Sequence, residues 1–358
     1  MNPLLHPDRP ATRIADGLPH AYFQEAVAGF SRAVQTSGIR KDVLLRIAGM
    51  TFRLRFGDDI SWRLILPSLA HHIVEGDAPA DWTIHLWDGT TTHSAMPVPT
   101  AEILQSRRRN CVTMLSDDRY QAYYLEWMGM LSMVDREGVA YVCYLNAAEL
   151  PMYEKAAPLR QVFNTALNSR GCQIVHAAAL GSPRASFLLA GAARSGKSTL
   201  AVQGLLHGFG FQSDDLCLLS NGSPPQTWNL YNVAKLRQDS LDRISPNLSL
   251  VPFTEGTETK YYFHIHEVYP GSILPAVPLK ALLLPQVTPG PVSRLVPATQ
   301  LDAMRALVPW SLSEVPSADN LGANIMLKAL GQVPSYALHL GSDSRQTLAL
   351  LQELMDGF

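Results

Sequence analysis

Residues Val175–Ser220 read VHAAALGSPRASFLLAGAARSGKSTLAVQGLLHGFGFQSDDLCLLS. Within them, Gly191-Ala192-Ala193-Arg194-Ser195-Gly196-Lys197-Ser198 satisfies the phosphate-loop pattern G-x-x-x-x-G-K-[ST] at every fixed position. The flanks strengthen the reading. Ser186 to Ala190 is an apolar run that suits a buried strand. Thr199 to His207 has Leu200, Val202, Leu205 and Leu206 at helical spacing, and Gly208 and Gly210 stop it. A strand, a glycine-rich loop and a helix N-terminus is what phosphate binding needs, because the loop and first-turn N–H groups then point at phosphate oxygens and the helix dipole favours the anion.

Two further features lie close in sequence. Asp214-Asp215 follows the loop by one helix and one short strand, Gly210 to Ser213, before the chain resumes as Leu216 to Leu219. This spacing predicts the acidic pair on the strand beside the loop strand. Neighbouring side chains of a strand point to opposite faces, so one carboxylate suits Mg²⁺ and the other suits an acceptor's proton. The pattern assigns Lys197 to the β- and γ-phosphates and the Ser198 hydroxyl to Mg²⁺. His176 lies in a strand predicted over Gln173 to Leu180. The turn Gly181-Ser-Pro-Arg184 joins that strand to the loop strand as a hairpin, which predicts His176 near the loop. A histidine in an apolar strand also reads as an ordinary core residue.

Composition bounds the rest. The chain has 358 residues, 17% charged residues and a formal net charge of −2. That balance gives no electrostatic case for nucleic acid or an anionic membrane. Arg107-Arg108-Arg109 reads as a solvated loop. No apolar stretch reaches spanning length and the N-terminus shows no signal-like apolar run, so a cytoplasmic location is expected. Cys111, Cys143, Cys172 and Cys217 have no metal or redox spacing and read as free thiols.

Residues 1 to about 18 read as a loose arm and His20 to Thr36 as a helix. Val43 to Phe56 reads as a hairpin bending at Gly49, and Ile60 to Val74 as a helix that puts His71 and His72 on different faces. Trp82 to Trp87 is an alternating strand, Ser94 to Thr113 resembles a long loop, and Tyr120 to Leu145 a three-strand meander. Tyr124, Trp127 and Tyr141 read there as packing residues. Residues 1–150 are thus expected to form a small α+β domain with a mainly antiparallel sheet. Residues 151–358 would form the second domain, entered by a helix over Ala148 to Asn168. Beyond Ser220 prolines interrupt short β-like pieces, and helices are expected over Thr299 to Leu307, Asn320 to Leu330 and Ser344 to Met355.

Taken together, His176, the loop from Gly191 to Thr199 and Asp214-Asp215 resemble the catalytic domain of HPr kinase/phosphorylase. The closer resemblance is to the HPr-kinase-like proteins associated with lasso-peptide and related precursor-peptide clusters. It covers about residues 172 to 355, and more weakly the RIAGMTFRLRF and WTIHLW segments. It implies an α/β P-loop kinase domain akin to phosphoenolpyruvate carboxykinase, using ATP and Mg²⁺ to phosphorylate a serine hydroxyl. The acceptor it implies is a peptide or small protein, such as the C-terminal serine of a precursor peptide. It further implies Asp214 as general base, Asp215 with Ser198 on the metal side, His176 assisting near the phosphates, and a homo-oligomer. Gly191, Ala192, Ala193, Arg194, Ser195, Gly196, Lys197, Ser198 and Thr199 would hold the nucleotide. The R-G-x-G motif with which HPr kinase/phosphorylase meets its protein substrate has no counterpart; Glu255-Gly256-Thr257 comes nearest. Lys235, Arg237 and Lys260 read as surface residues. A small-molecule kinase, a peptide nucleotidyltransferase and a non-catalytic nucleotide-binding regulator remain alternatives on the same loop.

Overall fold

The computed structural model describes residues 17–244, 248, 250–315 and 320–358; the arm expected up to about residue 18 falls almost wholly outside them. Helix α1 (Leu18–Ser37) is followed by β1 (Lys41–Ile47), β2 (Met50–Phe56), α2 (Asp59–Ile65), β3 (Ile73–Val74), β4 (Trp82–Asp88), α3 (Ala101–Leu104), β5 (Arg107–Arg108), β6 (Cys111–Val112), β7 (Tyr120–Leu125), β8 (Met130–Asp135) and β9 (Val139–Tyr144). The strands form one sheet in the order β3-β1-β2-β4-β9-β8-β7-β6-β5. The β1–β2 hairpin turns through Ala48 and Gly49, both at positive φ, the twist a two-residue hairpin requires. The sheet is not antiparallel throughout, because β4 runs parallel to both β2 and β9. Phe23, Ala26, Phe30 and Ala33 of α1 cover one face.

Three local expectations change. The helix expected over Ile60 to Val74 becomes α2 and a 3₁₀ turn, Leu66–His72, since Pro67 cannot donate within a continuing helix. The His71 and His72 rings consequently lie only 3.9 Å apart instead of on different faces. Both are neutral hydrogen-bonding groups: Asn229 and Asn232 engage His71, and the Leu230 carbonyl engages His72. In place of a long loop, residues 94–113 contain α3, β5 and β6, and Arg109 donates to the carbonyl of Leu312.

The entering helix is also divided, into α4 (Met152–Ala156) and α5 (Arg160–Asn168), because Pro158 forces Ala157 out of helical geometry. Val162, Phe163, Ala166 and Leu167 of α5 share one core with Phe52, Leu54 and Leu86 of the first sheet and Ile174, Leu216 and Leu218 of the second. Among the described residues no helix is long and apolar enough to cross a membrane.

The second region comprises β10 (Cys172–His176), β11 (Ala178–Ser182), β12 (Ala185–Leu189), α6 (Lys197–Leu206), β13 (Gly210–Ser213), β14 (Leu216–Ser220), β15 (Gln226–Trp228), β16 (Val233–Arg237), α7 (Gln238–Ile244), β17 (Val251–Glu255), β18 (Glu258–His264), α8 (Ile265–Val268), β19 (Ala276–Val287), β20 (Arg294–Ala298), α9 (Gln300–Glu314), α10 (Leu321–Leu330), β21 (Ser335–Leu340) and α11 (Ser344–Asp356). Its main sheet runs β10-β14-β15-β19-β12-β11-β13, with β21 on β19 and β20 on β21. Helix α9 continues through Pro309, beyond the Leu307 boundary expected, because Ala303, Leu307 and Ser311 bury one continuous stripe. Strands β12, β19 and β21 are parallel neighbours. α6 and α11 cover one face and α9 and α10 the other. The chain leaves β12 through the loop into α6, so the loop opens at the C-terminal end of a strand that is parallel to its neighbour β19, the end at which open α/β sheets bind ligands.

One placement corrects the sequence reading. The acidic pair does not lie on a strand adjacent to β12: β11 intervenes, pairing with β12 on one side and β13 on the other. The expected strand Gln173–Leu180 is itself interrupted at Ala177. His176↔Leu216 and Ala179↔Ser213 keep one register across this interruption, so Ala177 and Ala178 face Asp215 and Asp214 where the ladder opens. A smaller sheet, β16-β18-β17, packs on α6 through Val202, Leu205, Ala234, Leu236 and Phe263.

Candidate active site

The loop's backbone requires its glycines. Gly196 has φ +103°, and a Cβ there would lie 2.7 Å from Leu340 Cδ1; Gly191 has φ +151°. Between them Arg194 takes a left-handed φ of 65°, which projects its side chain outward. No side chain caps the N-terminus of α6, so its first-turn N–H groups face the cleft, and Ser195 Oγ is buried without a hydrogen-bond partner. Lys197 is 7% exposed and its Nζ donates to the carbonyls of Gly191 at 2.8 Å and Ala192 at 3.0 Å. Burial lowers its pKa against the opposing pull of Asp215 and Asp214.

The interrupted ladder gives the two carboxylates different surroundings. Asp214 is 2% exposed. Its Oδ2 accepts from the backbone N–H of Lys235 at 2.6 Å, while Oδ1 has no hydrogen-bond partner. Burial, with the charge of Asp215 beside it, pushes its pKa up to about 6; Lys235 and the nearby Ser198 hydroxyl pull the other way. The Asp215 side chain is 34% exposed and fully engaged: His176 Nδ1 stands 3.2 Å from Oδ1, and Lys235 Nζ donates to Oδ2. Burial would raise Asp215, but Lys235 and His176 outweigh it and hold the carboxyl well below the usual range. His176 is shifted down, chiefly by burial, which leaves its ring neutral at pH 7 and able to donate from Nδ1.

Lys197, Ser198, Asp214, Asp215, His176 and Thr199 therefore line one cleft of about 400 Å³, together with Ala193, Arg194, Ser195 and Gly196. Gly191 and Ala192 lie on a second cavity of about 680 Å³ that flanks the loop toward Arg305 and Trp310 of α9. The main cleft also holds cations not expected there from the sequence, Lys235 and Arg160 among them. Lys235 ties both carboxylates, Asp215 through its ammonium and Asp214 through its amide. Arg160, 2% exposed, has its guanidinium 3.4 Å from the centroid of the Tyr153 ring and 3.5 Å from Glu314. Neither is signalled by spacing, since each reaches the cleft only through the packing of α5 and β16. Trp127, expected to pack, is instead 60% exposed and meets Tyr153 edge-on at 5.1 Å.

Among the described residues no group of three or more His, Cys, Asp or Glu side chains is placed to hold a metal ion. The donor set present, one hydroxyl and two carboxylates at a phosphate loop, is of the kind Mg²⁺ uses, since this ion takes few protein ligands and completes its shell with phosphate and water. The buried Oδ1 of Asp214 has no hydrogen-bond partner, so its acceptor capacity is unused.

No protein-family model matches the chain, and no curated protein matches it. Of solved structures, the Hpr(Ser) kinase/phosphatase from Coxiella burnetii is similar at 11% identity, over 52% of this chain and 99% of that one, with a TM-score of 0.28. At that score the likeness carries no argument, and the functional reading rests on the side chains themselves.

Proposed function

We propose that this chain is an ATP- and Mg²⁺-dependent P-loop kinase that transfers the γ-phosphoryl group to a serine hydroxyl of a peptide or small protein. One observation carries the reading: a phosphate-loop sequence and its lysine share a cleft with a buried carboxylate that has one oxygen without a hydrogen-bond partner and whose pKa burial pushes up to about 6. In this reading Asp214 Oδ1 accepts the proton of the incoming hydroxyl. The hydroxyl oxygen bonds to the γ-phosphorus, the bond from that phosphorus to the bridging oxygen breaks, and ADP leaves. Lys197 moves from the Gly191 and Ala192 carbonyls onto phosphate oxygens of the substrate. Asp215 is too weak a base to compete for the proton and stays ionised, so we assign it, with Ser198, to Mg²⁺. The ion, when bound, neutralises phosphate charge. His176 and Lys235 hold Asp215 in place. Residues 1–150 carry none of these groups, and we give them the task of holding the acceptor, for which the C-terminal serine of a precursor peptide is the candidate.

Incubating the protein with Mg·ATP and a serine-bearing peptide, followed by mass spectrometry, tests the reading. Phosphorylation adds roughly 80 Da, whereas a nucleotidyltransferase would add roughly 329 Da. Loss of the roughly 80 Da product in Lys197→Ala and Asp214→Asn, with nucleotide binding better preserved in the second, is the expected result. Full transfer by Asp214→Asn removes it as the base. Tight ATP binding without product from any peptide favours a regulator.

A further inference from the structure

The hairpin of β17 and β18 turns at Gly256, and its tip lies against the phosphate loop. Glu255 and Glu258 stand opposite each other in its ladder, an unfavourable pairing unless each finds a cation. Glu255 takes Lys260. Glu258 Oε1 takes two: Arg194 Nη2 from the phosphate loop at 2.6 Å, and the guanidinium of Arg237 from β16. Arg194, Arg237 and Lys260 all line the cleft that holds Lys197 and Asp214. Glu258 divides one oxygen between two guanidinium groups, with Asp239 standing 4.0 Å from Arg237 as a second acid, and phosphate is a better bidentate partner for arginine than a shared carboxylate oxygen.

We propose that Glu258 is an electrostatic latch that competes with the nucleotide's polyphosphate for Arg194 and Arg237, so that the β17–β18 hairpin sets how tightly phosphate is held. This rests on the nucleotide reading above. When the polyphosphate takes the two arginines, the hairpin tip loses its anchor to the loop, which couples phosphate binding to the position of the small sheet.

Calorimetric titration with Mg·ATP, and separately with pyrophosphate, tests the latch. Relative to the unmodified chain, Glu258→Gln should bind both ligands about fivefold tighter, the scale of one exposed ion pair released. The gain should shrink as salt is raised. Glu258→Asp, which keeps the charge but shortens its reach, should fall between the two. Adding Glu258→Gln to an Arg194→Gln/Arg237→Gln background should give no gain. Unchanged or weaker binding in Glu258→Gln, or a gain that survives loss of both arginines, overturns the latch. If Lys197→Ala leaves ATP affinity unchanged, the nucleotide reading fails and takes the latch with it. If Lys197→Ala abolishes binding while Glu258→Gln changes nothing, the latch alone fails.

Discussion

The two sheets use buried carboxylates in opposite ways. In the first, Asp58 is 4% exposed and both oxygens are occupied: Oδ1 accepts from the N–H groups of Ile60 and Ser61, and Oδ2 from that of Asp88. In turn Asp88 accepts from the N–H groups of Thr91 and Ala147. These acids cap a helix and close loops, and nothing is left to react. In the second sheet Asp214 is as deeply buried, yet one of its oxygens is unpartnered, and the neighbouring Asp215 is held ionised by a lysine and a histidine. Burial pushes Asp58 and Asp214 in the same direction. What separates the structural acid from the one we propose as reactive is therefore the number of donors around it.

Substitutions can break this contrast, and the largest effect is expected at the loop and the open acid. Lys197→Ala and Asp214→Asn should each lower phosphoryl transfer by about 10³-fold, read as labelled product from a competent peptide. Asp58→Asn should leave the turnover of the folded protein near normal. Loss of activity in Asp58→Asn at full fold, or its retention in Asp214→Asn, erases the distinction.

Lys235→Met is next in size. It leaves Asp215 without its ammonium partner and should destabilise the protein by about 1–3 kcal/mol, below the range for fully buried pairs because Asp215 is partly solvated. Transfer should fall with it, and Lys235→Arg should recover more stability than rate. Denaturant titration together with initial rates separates the two.

The pH dependence has opposite signs for activity and stability. The folded pKa of Asp214, about 6, lies above its ordinary value of 3.8, so the folded state binds this proton more tightly than the unfolded chain does. This contribution to stability is complete below 3.8 and is lost as pH rises through about 6. Transfer needs the ionised form and should decline as pH falls through the same window. Asp214→Asn should be the more stable protein at pH 8 by about 1–3 kcal/mol and should lack this component of the pH slope. A stability profile unchanged by Asp214→Asn would show that burial of the ionised acid is not being relieved.

The smallest effect is an Asp58→Asn loss of about 1–2 kcal/mol, read by thermal melting: asparagine still caps α2, but its amide NH2 cannot accept from the buried N–H of Asp88.

How much of this was legible beforehand differs by feature. The loop, its strand and α6 were readable because the phosphate-loop pattern requires particular residues at fixed spacing, and Gly191, Gly196, Lys197 and Ser198 occupy those positions. The grouping of His176 with Asp214 and Asp215 was anticipated from sequence distance, but for a geometry that does not occur: the pair was expected one strand nearer the loop. Sequence spacing does not reveal that β11 inserts between β12 and β13, because strand order is settled by which apolar faces bury together. The helix breaks at Pro67 and Pro158 were available locally and were overridden by apolar periodicity, whereas at Pro309 periodicity prevailed in the structure as well.

By itself, the amino-acid sequence determined the short-range chemistry: a phosphate loop, a paired acid, and a histidine in an apolar strand. The tertiary structure decided which acid is open. Asp214 and Asp215 are adjacent and chemically identical. They differ because the ladder parts at Ala177 and Ala178, burying one and turning the other toward Lys235 and His176. Lys235 comes from a separate small sheet that meets α6 through packing alone, and the energy of an ion pair depends on distance and burial, neither of which is written in residue spacing.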